Sequence, residues 1–121
     1  MPKIDKYEIT ILDGVPTKAV NIYHEFDIHA RITNTGDLGW RNRALDFIRD
    51  KALQPIANPV KLLNLKPGES QSITIHIDTR GGEGKFDLKI RMKHSNTGKP
   101  CFENKPILEI PIHVKFTPQE T

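Results

Sequence analysis

The sequence predicts an all-β fold, two antiparallel sheets packed face to face. Three observations predict it. Apolar and polar residues alternate in five separate segments, the period that places one set of side chains on a buried face. Fifteen isoleucines against five alanines favour the pleated, half-buried surface that suits β-branched side chains. Between the alternating segments lie clusters of Gly, Pro, Asn and Asp, which supply turn chemistry.

In the first segment Tyr7, Ile9 and Ile11 face one way, and Glu8 and Thr10 the other. Asp13-Gly14-Val15-Pro16 ends it. Phe26, Ile28, Ala30 and Ile32 then alternate with Asp27, His29, Arg31 and Thr33, and Asn34-Thr35-Gly36-Asp37 closes that strand. Residues 43–54 admit two readings. Leu45, Ile48 and Ala52 have helical spacing, whereas Leu45 and Phe47 would both point inward from a strand; among so many strands the strand is preferred. A polar loop through Pro55 and Pro59 leads to a short strand at residues 60–65. Lys66-Pro67-Gly68-Glu69 turns the chain into Ile73, Ile75 and Ile77, which alternate with Ser72, Thr74 and His76. The run Gly81-Gly82-Glu83-Gly84 reads as a hairpin turn, not a phosphate cradle, because a strand and no helix follows. That strand carries Phe86, Leu88, Ile90 and Met92 on its inner side. After Asn96-Thr97-Gly98-Lys99-Pro100 the last strand buries Leu108, Ile110, Ile112, Val114 and Phe116. Pro111 lies on its outward face and cannot donate to a ladder, so this strand belongs at an edge or carries a bulge. About seven or eight antiparallel strands make an immunoglobulin-like β-sandwich. At 121 residues the chain is one domain's worth, read as a single domain over residues 1–121 with a frayed tail at 117–121.

Ile11-Leu12-Asp13-Gly14, Phe26, Arg31-Ile32-Thr33-Asn34-Thr35-Gly36 and Trp40 resemble the opening of the four-tryptophan immunoglobulin-like domain of autophagy cargo receptors and related bacterial proteins. Leu45-Asp46-Phe47-Ile48-Arg49-Asp50 resembles that family's next strand. Leu65-Lys66-Pro67-Gly68-Glu69 before Ile73, Ile75 and Ile77 resembles its next element. Gly84-Lys85-Phe86, Ile90-Arg91-Met92, Gly98, Phe102 and Ile110-Pro111-Ile112-His113-Val114 resemble its closing hairpin. The likeness spans about residues 8–115 and is distant. Only Trp40 matches a family tryptophan, with Ala30 and Ile90 near the places of two others. The resemblance implies a non-enzymatic module that presents surfaces to protein partners.

The chemistry-bearing residues do not assemble into a catalytic pattern. His29, His76 and His113 fall on outward strand faces, and no metal-ligand spacing joins the five histidines, so no metal site and no cofactor is expected. Cys101, alone between Pro100 and Phe102, excludes an internal disulfide and reads as a structural thiol. Trp40 reads as a core residue between the sheets. The net charge is only +3, with acids interspersed, so nucleic acid is a poor partner. The densest positive stripe is Lys85, Lys89, Arg91 and Lys93 on the wet side of one strand. It is a candidate protein-binding face, or else a strand that lysines keep from pairing edge-on. With no signal peptide and no membrane span visible, the expected location is the cytoplasm. The function expected is protein–protein interaction as an adaptor or accessory module, through a sheet edge or loops. The alternatives are a structural or assembly domain, a homo-oligomer included, and after it nucleic-acid binding through the basic strand face.

Overall fold

In the computed structural model, which describes residues 3–116, the chain folds into the two-layer sandwich that its alternation predicts. The tail at 117–121 lies outside the described residues. The strands are β1 (Tyr7–Asp13), β2 (Val20–Asn21), β3 (Glu25–Asn34), β4 (Arg43–Phe47), β5 (Ile56–Ala57), β6 (Val60–Lys61), β7 (Ser70–Asp78), β8 (Gly84–His94) and β9 (Leu108–Lys115). One sheet has the order β1-β3-β7-β5 and the other β2-β9-β8-β4-β6.

The five alternating segments are the five long strands, and their inward sides make the core. Ile28, Ile32, Ile75 and Ile77 from one sheet meet Leu88, Ile90, Met92, Ile110 and Ile112 from the other, all essentially buried. Residues 43–47 form the preferred strand, with Leu45 buried and Phe47 half-buried. Its ladder against β8 continues without a break from Arg43↔His94 to Phe47↔Ile90.

Five details differ from the sequence reading. There are nine strands among the described residues, because β2 and β5 are two-residue pairings too short for alternation to reveal. Of residues 60–65, only Val60–Lys61 pairs. β2 runs parallel to β9, so the sandwich is not purely antiparallel. The run Gly81–Gly84 is not a hairpin: it carries the chain from β7 in one sheet to β8 in the other. Phe116 lies beyond the last ladder pair and is exposed. Pro111 pairs with Asp87 of β8. On its other side β9 is an edge there, since β2 reaches only Val114 and Lys115.

Two turn motifs that lie far apart in sequence interlock. Asn34, fully buried, accepts the Gly36 N–H on Oδ1 (3.1 Å) and donates Nδ2 to the carbonyls of Leu38 (2.7 Å) and Leu65 (3.0 Å). The Gly68 N–H donates to the Asn34 carbonyl (2.7 Å), and the Asn34 N–H to that of Glu69 (2.9 Å). The Asn-Thr-Gly and Pro-Gly-Glu turns therefore close one end of the sandwich together. Gly36 lies against the backbone of Ile4, with no room for a Cβ, so the amino-terminal strand of chain lies flat over this end. Asp37 and Leu38 donate to the Ile4 carbonyl there. This strap brings Asp5 to Trp40 and Arg43. Among the described residues no helix is long and apolar enough to cross a membrane.

Candidate protein-binding surface

β8 is the longest strand, and its outward side carries Lys85, Asp87, Lys89, Arg91 and Lys93. The structure brings the four predicted basic residues into one row but gives them different surroundings. Lys93 is tied to Asp46 of β4 (3.1 Å). Arg91 donates Nη1 to the Asn104 side chain (3.1 Å), held out by a tight turn at Phe102–Asn104. All three residues of that turn have positive φ, a conformation disfavoured for non-glycine residues. Lys89 lies 3.7 Å from Asp50. Lys85 has no charged partner within that reach among the described residues and is exposed. The stripe is thus partly neutralised at its carboxy-terminal end and free at Lys85.

Only half of β8 lies at a sheet edge on the β4 side. From Ile90 to His94 β8 is interior, with β4 beside it. The Ile48 N–H makes one last bond to the Lys89 carbonyl (2.8 Å), and then the chain leaves β8. Gln54 is what turns it away. Its buried amide donates to the Ile48 carbonyl (3.2 Å) and accepts the N–H groups of Asp50 and Lys51 (2.7 Å for Lys51), folding residues 48–55 into a crossover toward the other sheet. Beyond that point β8 is an open edge. Between it and the crossover is a cleft of about 180 Å³ lined in part by Lys51, Lys85, Phe86, Asp87 and Lys89. The Lys51 ammonium sits 5.5 Å from the centre of the half-buried Phe86 ring.

Sequence reasoning missed Gln54 and this open edge. Patterning says which residues face the core, but not where a neighbouring strand stops. A second cleft, on the β9 side of the same residues, is lined by Lys18, Lys85, Asp87, Pro111 and His113. It brings an acid and an imidazole to one surface, yet no hydrogen bond joins Asp87 to His113 among the described residues.

The histidines lie where the alternation places them, with one consequence the sequence did not show. His76 sits opposite Asp27 across the β3–β7 ladder, Nδ1 2.6 Å from Asp27 and Nε2 3.0 Å from Glu25. Hydrogen bonds to Glu25 first, and to Asp27, hold its pKa above the ordinary value. With both ring nitrogens facing carboxylates, the charged imidazolium is stabilised relative to the neutral ring. Among the described residues no group of His, Cys, Asp and Glu is arranged to hold a metal. Because the folded-state pKa is raised, this clamp stabilises fully below about pH 6.5. Its contribution is lost as pH rises through the raised value. Wild type is expected to lose melting temperature relative to His76→Gln as pH rises above about 6.5, and superimposable profiles would show that the clamp contributes nothing. Cys101 is buried, and burial pushes its thiol pKa up against the opposing pull of Arg43, as a structural cysteine requires.

No family model and no curated protein matches the chain. Among solved structures it resembles the CARDB domain of a Pyrococcus furiosus protein, crystallised in complex with di-metal ions, at a TM-score of 0.61 and 15% identity, covering 97% of this chain and 99% of that one. A solution structure of that domain matches at 0.51 and 16% identity over 92% and 97% of the two chains. A β-glucosidase from Listeria innocua in complex with glucose matches at 0.50 and 15% identity, over 91% of this chain but 16% of its own length. At these identities the likeness is one of architecture, and the chain has the immunoglobulin-like β-sandwich fold that the CARDB domain also has.

Proposed function

We propose that the chain is a non-enzymatic accessory module that binds a protein partner through the amino-terminal half of β8. The observation that supports this most is the open edge at Lys85 and Asp87, whose backbone groups have no partner on the β4 side among the described residues, with Lys89 beside it. Main-chain pairing supplies affinity at such an edge, and alternate side chains supply selectivity. Lys85, Lys89, Arg91 and Lys93 favour an acidic surface on the partner's outward side, by a steering effect that salt would weaken. The four-tryptophan family remains the finer affiliation in this reading. It is supported by the interlock of Asn34-Thr35-Gly36 with Lys66-Pro67-Gly68-Glu69 and by the buried Trp40.

The test is a comparison of baits. Partners captured by the wild-type chain are identified by mass spectrometry, and their affinities are then measured in purified form. The Lys89→Glu, Arg91→Glu double variant is expected to weaken an acidic partner by about tenfold or more at low salt while its denaturation midpoint stays close to wild type. Since Arg91 is partly buried, Lys85→Glu at the exposed end of the row provides the same test without disturbing a packed side chain. Equal binding by both variants would reduce the stripe to a solubility feature.

A further inference from the structure

The geometry points to a definite occupant for the open β8 edge: the same edge of a second copy of this chain, paired antiparallel about a two-fold axis through Phe86. This rests on the edge being a binding element and names what it binds.

The first argument is which backbone groups are free. In an antiparallel strand the N–H and C=O of one residue point to the same side, and successive residues alternate. The Lys89 carbonyl points toward β4, where it takes the Ile48 N–H, whereas the Ile90 and Met92 carbonyls point the other way, to Ile107 and Cys101. The ladders on both sides of β8 run without a bulge, so Lys85 and Asp87 point toward the β4 side as well. β4 has ended before it reaches them, and no described residue bonds their backbone groups there.

The second argument is register. Edge pairing between two copies joins the residues whose backbone groups point outward, so the choices differ in steps of two. Centred on Phe86, Lys85 faces Asp87 of the other copy and Asp87 faces Lys85. Both pairs are of opposite charge. Centred on Asp87, that residue faces itself; centred on Lys85, lysine faces lysine. Both neighbouring registers therefore place like charges directly opposite, which destabilises a cross-strand pair. Centring on Leu88 would bring Arg91 into the pairing, and Arg91 is already opposite Asp46 of β4. One register survives. At its axis the two Phe86 residues form a non-hydrogen-bonded pair, the closer of the two cross-strand spacings, with their half-buried rings side by side.

The experiment is sedimentation equilibrium combined with amide hydrogen exchange, on the wild-type chain and three variants. Wild type is expected to dimerise, with the Lys85 and Asp87 amides exchanging quickly when dilute and slowly when concentrated. Lys85→Asp and Asp87→Lys each place like charges opposite and are expected to weaken the dimer by about tenfold or more. The double variant Lys85→Asp, Asp87→Lys has the wild-type composition and restores the complementarity, so it is expected to recover the dimer. Self-pairing is overturned if wild type stays monomeric up to about 1 mM. It is also overturned if a dimer forms that the single variants and the double variant leave unchanged. A monomeric wild type that still binds an acidic partner, sensitively to Lys89→Glu with Arg91→Glu, would sink the self-pairing and leave the binding module intact. A charge-sensitive dimer with no such partner does the reverse.

Discussion

Replacing Trp40 with alanine is expected to lower the unfolding free energy by about 3–5 kcal/mol, the range for emptying the site of a large buried aromatic ring. The ring is 1% exposed and belongs to the hydrophobic core cluster. Its backbone N–H donates to the Leu65 carbonyl (2.8 Å), and its indole Nε1 to Asp5 Oδ1 (3.0 Å), so position and orientation are both set. The Arg43 guanidinium lies 5.3 Å from the ring centre. Truncation therefore opens a cavity and withdraws one face of support from a buried cation. Chemical denaturation with an unchanged slope would report the loss. A near-neutral result with lost partner binding would instead make the ring an interface anchor and reverse its assignment to the core.

Asp5→Ala is expected to cost about 3 kcal/mol, because it strands a charge. Arg43 is 4% exposed, and its guanidinium meets Asp5 through two contacts, Nη1 to Oδ1 (3.1 Å) and Nη2 to Oδ2 (3.0 Å). Its Nη1 also touches the Met92 sulfur, while Nε has no hydrogen-bond partner among the described residues. Without Asp5 the guanidinium is left among Trp40, Met92 and Phe102 with no other acid in salt-bridge reach among the described residues. Removing one member of a buried pair is worse than removing both. Asp5→Ala with Arg43→Met is accordingly expected to recover part of the loss, as a double-mutant cycle in denaturant would show. If the single and double variants were equally destabilised, Asp5 would matter only as the acceptor for the indole.

The sandwich was legible because five strands each bury one face, and a period-two pattern is a direct imprint of that burial. Tyr7 to Ile11, Phe26 to Ile32 and Ile73 to Ile77 needed no partner to be recognised. Short elements left no such imprint. Val20–Asn21 is a strand only because β9 lies alongside it, and Ile56–Ala57 only because β7 does. The basic row was legible too, since Lys85, Lys89, Arg91 and Lys93 follow from the same alternation. Its electrostatic character was not. Asp46 and Asp50 reach Lys93 and Lys89 from β4 and the crossover, at sequence separations that no local pattern connects.

By itself the sequence determined which side chains face inward, how the strands alternate with turns, and that Trp40 belongs in the core. Burying apolar surface is a local demand, repeated residue by residue along each strand. Only the tertiary structure decided the order of the strands, the Asp5–Arg43 pair beneath the amino-terminal strap, and the open half of β8. Each of these depends on where a distant segment comes to rest. The edge exists because the Gln54 amide bends the chain off β8 at Ile48, and a missing neighbour leaves no mark on the strand that lacks it.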